Sequence, residues 1–364
     1  RRQRQMCIRD RYGHWRGLFV IVGAAAAVLA VLTTLYVPDQ KIPKGGKFDW
    51  FSFLAVGMGC VCMLMVLIYG ETDGWTAPGV LAWMYGGFCS FALAFISCMT
   101  HRTPLLDVRV LGNWRFLCGL LASLCNIFCI CWVRVGTVQF MRNVMNYEPV
   151  GIAYVFMVLV AGFCGGAALV LPLMQKGRLA LRVGMMAGLL ALGASAFFLS
   201  RLDAGCSWLD VAWPLGLFGI GYAFCLNTAT PLALRGVEGR SAAASSRTLN
   251  TVRYIFISLY VSSVSTVLAH MKTGFRFSMA EQVRDDSPGT AHTLDMWQRH
   301  FAETGGTARE IHASVDAVLQ KAVALQSQVF SVDTFYLCTV IVGAAGVLFA
   351  LFCLKSSPER KAAS

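Results

Sequence analysis

The polar side chains that interrupt long apolar runs are where this sequence could do chemistry. Arg134 stands in "CICWVRVGTVQF", followed by Gln139. Asn227 and Thr228 break "GYAFCLNTATPLAL", with Thr230 just before Pro231. Asn250 and Arg253 lie three residues apart in "SSRTLNTVR", hence on one face of a helix. A guanidinium stays charged and offers five N–H donors, and amides and hydroxyls add further hydrogen bonds. Such groups bind and orient a polar partner, but they supply neither an acid–base pair nor an activated nucleophile. No carboxylate falls inside an apolar run: Asp107 and Glu238 flank runs on one side, Glu71, Asp73, Glu148, Asp203 and Asp210 on the other. Asp333 is expected at the start of the last helix, where a carboxylate suits the positive helix end. There is no Gly-rich phosphate loop, H-E-x-x-H or G-x-S-x-G, so the chain reads as no enzyme. Most of the fourteen cysteines sit within apolar runs and read as small hydrophobes, so no metal site is expected.

The elements that must position these residues follow from composition. The chain has 364 residues, 57% hydrophobic and 14% charged, against roughly 45–50% and about 25% in soluble domains. Hydrocarbon about 30 Å thick is crossed by roughly 20 apolar residues in a helix. Nine runs qualify: 17–37, 50–70, 78–100, 116–138, 150–174, 183–200, 211–233, 250–271 and 334–354. The fold class is therefore all-α, a polytopic membrane protein with lipid as its solvent. Runs such as "AGFCGGAALVL" and "GLFGIGYAF" are rich in small residues, which let helices pack closely in lipid.

The net charge of +12 would suggest a nucleic-acid partner in a soluble protein. Partitioned by loop, it becomes a topology signal instead. Four alternate loops and the tail, from Lys41 to Lys361, hold fifteen Lys and Arg, whereas the short loops opposite hold only Arg142 and Arg201. The positive-inside rule then places the C-terminus in the cytoplasm. Nine spans put residue 1 outside, yet six arginines crowd the first sixteen residues. The expectation is that an odd number of spans precedes this sequence and that residues 1–12 are a non-native or disordered leader. The segment 272–333 is expected as an outer loop. Within it Ile311, Val315, Val318, Leu319, Ala322 and Leu325 recur at helical steps, an amphipathic helix suited to the membrane surface, to a partner, or to the protein's own outer face.

Several segments resemble one family in the same order. "RTPLLDVRVLGNWRF" (Arg102 to Phe116) resembles the Pro-Leu-Leu-Asp-Leu-Arg-x-Phe-x-Asn-Arg-x-Phe segment of the fourteen-helix drug:proton antiporters of the major facilitator superfamily, the EmrB/QacA type. Trp15-Arg16 and Phe48-Asp49-Trp50 resemble the residues before that family's sixth and seventh helices. "GTVQFMRNVMNYEPVGIA" is similar to its Gln-Tyr-x-Gln-x-Val-x-Gly-Tyr-Ser-Pro loop, and "GRLALRVG" to Gly-Arg-Leu-Ala-Asp-Arg-x-Gly. "SSRTLNTVR" resembles Ala-Ser-x-x-x-Asn-x-x-Arg. Two departures stand out: Leu181 replaces the loop motif's Asp, and Tyr254 replaces the Gln after the Arg.

The resemblance implies helices six to fourteen of that family. Residues 13–38 would be the last helix of the N-terminal bundle, 39–101 two linker helices, and 102–364 a six-helix C-terminal bundle. It implies a secondary transporter of the bacterial inner membrane, exporting drugs or other amphipathic, toxic compounds in exchange for protons. No cofactor is implied beyond the proton gradient. Its partners would be lipid, a small-molecule substrate, and a periplasmic membrane-fusion adaptor with its outer-membrane channel. The alternatives are a non-transporting membrane scaffold and an exporter of one metabolite or siderophore. Asp107, Arg109, Gly177, Arg178 and Arg182 would form the cytoplasmic loop motifs. Arg134, Gln139, Asn227, Thr228, Asn250 and Arg253 would line the substrate path. For Arg134 the choice is between a cation facing a central cavity, orienting anions, and a side chain snorkelling to the interface. For Asn227 and Thr228 it is between the path and helix-to-helix bonds. For Arg253 it is between the path and anchorage near the cytoplasmic gate.

Overall fold

The computed structural model describes residues 15–36, 49–100, 106–174, 178–234, 241–282, 295–300 and 308–355. Among them nine helices are long and apolar enough to cross a membrane, and no strand occurs. They are α1 (Trp15–Tyr36), α2 (Trp50–Asp73), α3 (Pro78–Thr100), α4 (Trp114–Asn143), α5 (Pro149–Met174), α6 (Arg178–Leu199), α7 (Trp208–Leu234), α8 (Ser241–Gln282) and α9 (Ala308–Lys355). The chain is thus an all-α, multi-pass membrane protein. The leader expected at residues 1–12 lies outside the described residues.

The chain divides into two units, Arg1–Lys47 and Phe48–Ser364. In the first, α1 is a single helix of 22 residues, about 33 Å long at 1.5 Å per residue. Its two hydroxyls are satisfied locally, Thr33 Oγ1 donating to Leu29 O at 2.7 Å and Thr34 Oγ1 to Val31 O at 2.8 Å. Local satisfaction is what hydrocarbon surroundings demand of a polar group.

In the second unit α2 and α3 form an antiparallel hairpin. Asp49 caps α2, its carboxylate accepting from Ser52 N at 3.0 Å. Gly74, at φ 93°, turns the chain where a side chain would be strained. Thr266 Oγ1 of α8 donates to Leu67 O of α2 at 3.0 Å, tying the hairpin to the remaining helices.

Among α4 to α9, α7 meets α4, α5, α6 and α8, and α9 packs against α4, α6 and α8. Glycine makes those approaches possible. A Cβ on Gly166 of α5 would lie 2.9 Å from Ile220 Cα, and one on Gly119 of α4 would lie 2.7 Å from Ala233 Cα. Gly162 and Gly219 press against the backbones of Gly216 and Leu159, respectively. These are the small-residue seams that hold helices together where lipid offers no hydrophobic drive toward association. On the far side of α4 the contact is aromatic: Trp132 stacks on Phe335 of α9 at 4.1 Å between ring centroids and 2° between planes. Tyr336 is fully buried beside it and shares a 2.8 Å hydrogen bond with Thr137 of α4.

Two expectations are corrected, for the amphipathic stretch and for Asp333. The segment 272–333, expected as an outer loop, carries helix at both ends: α8 continues unbroken to Gln282 and α9 begins at Ala308. The amphipathic stretch from Ile311 to Leu325 is the first half of α9, continuous with the last span, and so does not form a separate helix on the membrane surface. Phe275 and Phe330 meet across the two helices at 6.2 Å between ring centroids. Asp333 accordingly lies 25 residues inside α9 rather than at its start, and its Oδ1 is buried with no hydrogen-bond partner. The macrodipole, confined to the first turn, gives it nothing there.

Candidate functional site

A cavity of about 390 Å³ opens between α4, α7 and α8. From α4 it is lined by Ser123, Asn126, Ile127, Ile130, Cys131 and Arg134. Steps of three and four make these one continuous helix face. From α8 come Asn250, Arg253, Tyr254 and Ile257, again one face, and from α7 Tyr222 and Leu226. Arg134, Asn250 and Arg253 therefore share one cavity, and none of its lining residues is acidic.

Arg253 is held in place. Its Nε donates to Ser123 Oγ of α4 at 2.6 Å, and its Nη1 to Thr230 Oγ1 of α7 at 2.7 Å. The guanidinium thus joins three helices, yet both acceptors are neutral, and among the described residues no carboxylate pairs with it. Arg134 is exposed at the cavity wall, and α4 runs nine residues past it to Asn143. Asn126 is only 2% exposed, and its Oδ1 is buried with no hydrogen-bond partner.

Other expected path residues are elsewhere. Gln139 is half-buried on α4 but does not line this cavity. Five residues separate it from Arg134, which is about 140° around a helix of 3.6 residues per turn. Asn227 Nδ2 donates to Ala223 O at 2.8 Å, within its own helix. Thr228 is fully buried, its Oγ1 donating to Phe224 O at 2.7 Å and lying 3.5 Å from Met185 Sδ of α6. Thr228 is thus part of the α6–α7 seam, not of the cavity.

Of the loop-motif residues, Asp107 is tied to α8: its backbone N–H donates to Thr248 Oγ1 at 3.0 Å. Arg182 is half-buried on the second turn of α6. Gly177 and the side chains of Arg109 and Arg178 lie outside the described residues. Leu181 is 1% exposed, a core residue, so this helix carries no acidic half for a latch with Arg182. A second groove, of about 410 Å³, lies between α2 and α8 and gathers Glu71, Trp75, Thr266 and His270.

No protein-family model matches the chain. It is 26% identical over 263 residues to the multidrug resistance protein Stp of Mycobacterium tuberculosis, covering 71% of this chain and 48% of that protein. It is 23% identical over 299 residues to a protein of Streptomyces coelicolor named "Probable actinorhodin transporter", covering 77% and 48%. The drug efflux pump JefA of M. tuberculosis is 20% identical over 289 residues, covering 74% and 53%. The chain spans about half the length of the curated relatives it matches. Among solved structures, a bacterial homologue of the human lysosomal transporter Spinster, in an inward-facing and unoccupied conformation, aligns at TM-score 0.47 and 15% identity over 84% of this chain and 70% of that one.

The nine apolar helices and the relatives together define a multi-pass membrane protein related to transporters. More particularly, the relatives are named as a multidrug resistance protein, a probable actinorhodin transporter and a drug efflux pump.

Proposed function

We propose that the chain serves a major facilitator exporter of the fourteen-helix drug:proton antiporter type, moving drugs or other amphipathic compounds out across the bacterial inner membrane in exchange for protons. Its C-terminus lies in the cytoplasm in this reading, as the distribution of Lys and Arg among its loops favours. The observation that carries the proposal is the cavity between α4, α7 and α8, with Arg253 fixed at its wall by two other helices. Transporters of this kind bind substrate between helices and expose the site alternately to the two sides by rocking around it. The reach of α8 and α9 beyond the apolar spans supports contact with a periplasmic adaptor.

The test is dye accumulation in a pump-deficient bacterial host expressing the protein from its natural coding sequence. Lower accumulation, restored by a protonophore, is the expected result. Unchanged accumulation with the protein present in the membrane overturns the proposal; export that survives the protonophore overturns proton coupling alone.

A further inference from the structure

We propose that the cavity between α4, α7 and α8 selects the anionic form of amphipathic aromatic acids, compounds with an apolar ring body and a carboxylate, sulfonate or phenolate. This rests on the exporter reading and names the substrate class of the same site.

The first reason is charge. Two guanidiniums line the cavity and no carboxylate does. Among the described residues the ion pair present is Arg299–Asp295, exposed and outside the cavity, so neither Arg134 nor Arg253 is neutralised by a protein partner. A cation partly withdrawn from water without a counter-charge is costly, and an arriving anion relieves that cost.

The second reason is geometry. Ser123 and Thr230 take up Nε and one hydrogen of Nη1 on Arg253, which leaves Nη2 to meet a ligand. Because those hydroxyls already hold the group in place, little side-chain entropy is lost when an anion docks. Its head lies at the level of Ser123, whereas Arg134 sits eleven residues further along α4, roughly 16 Å at 1.5 Å per residue. One cation is thus fixed at one end of the cavity and a second is free at the other. The anion docks at Arg253, and Arg134 draws it in through the open side.

The third reason is independent of charge. Asn126 is 2% exposed and lines the cavity one turn from Ser123, and its Oδ1 has no donor. A buried carbonyl oxygen without a partner is expensive, and a ligand hydroxyl or N–H next to the anion would satisfy it. Ile127, Ile130, Leu226 and Ile257, with the rings of Tyr222 and Tyr254, supply the wall for a flat apolar body.

Fluorescein and rhodamine 123 share a three-ring body and differ in charge. Binding of each to the purified full chain in lipid nanodiscs is followed by fluorescence anisotropy at neutral pH. Fluorescein is expected to bind at least about tenfold more tightly, about 1.4 kcal/mol. Arg253→Gln should erase most of that preference, and Arg134→Gln, at an exposed position that need not disturb folding, should lower it by a smaller factor. Arg142→Gln, beyond the cavity on α4, should leave it unchanged. Equal binding, a preference for rhodamine 123, no binding of either dye, or an unaltered preference in Arg253→Gln or Arg134→Gln overturns the inference. Any of these leaves the exporter reading to its own test, since dye accumulation in cells does not depend on which charge the cavity prefers.

Discussion

Gly166 and Gly165 are neighbours on α5, and alanine should have opposite effects at the two positions. A Cβ on Gly166 would sit 2.9 Å from both Ile220 Cα and Ile220 O and 3.0 Å from Ala223 Cβ, where ordinary contact is 3.4–4 Å. The obstacle is backbone, which cannot rotate away, so α5 and α7 must part by about half an ångström or more. A gap of 0.5–1 Å forfeits roughly a quarter to a half of each contact's attraction along the seam. Gly162 and Gly219 already press on partner backbone in that seam, so the loss is shared by several contacts. Overpacking of this kind costs about 1–3 kcal/mol, and the better helix propensity of alanine returns up to about 1 kcal/mol. Around Gly165 there is nothing within 4 Å, so Gly165→Ala gains the propensity and meets no clash. Thermal unfolding of the purified protein in detergent, followed with a thiol-reactive dye that reports exposure of the buried Cys129 and Cys225, compares the two. Gly166→Ala should melt below wild type and Gly165→Ala at or above it. Equal melting of the two variants would refute the claim that glycine sets the α5–α7 distance.

Thr230→Val removes one of the two acceptors on Arg253. Since hydrogen bonds to charged groups contribute about 1.5–3 kcal/mol, transport should fall by about tenfold or more while surface expression holds, as measured by dye efflux beside a membrane blot. Asp333→Asn removes a charge whose Oδ1 is buried without a partner, so it should raise thermal stability by on the order of 1 kcal/mol; Asp295→Asn, in an exposed ion pair, should shift it by less than about 0.5 kcal/mol. Tyr336→Phe and Thr137→Val each strand a buried hydroxyl, costing about 1–3 kcal/mol. Denaturation of the double variant should cost less than the two single losses added together, because it strands neither.

Helices α1 to α7 were legible in the sequence to within a few residues, because run length in a membrane protein is set by lipid thickness. The same measure fell short at α8 and α9. It registers contact with lipid, and both helices continue as polar segments, to Gln282 and from Ala308. The spacing of three put Asn250 and Arg253 on one helix face, and that face lines the cavity. Ser123 and Asn126 carry the same spacing within "LLASLCNIF" and went unread, although Ser123 holds Arg253 and both line the cavity. For Asn227 and Thr228 the sequence left two readings open, because composition shows that a polar group lies in a span, not that its own helix satisfies it. Which face of α7 meets α6 and which meets the cavity is decided by glycine contacts such as Gly188 with Gly221, and these exist only between helices.

The unbroken course of α9 has a mechanical consequence. From Asp333 back to Ala308 the rod reaches 25 residues, about 37 Å at 1.5 Å per residue. A tilt of roughly 10° within the bilayer would therefore sweep its tip through about 6 Å, if the helix stays straight over that length. The rod works as a pointer: a small rearrangement deep in the bundle becomes a displacement large enough to be read by a fluorophore pair, or felt by whatever touches its end.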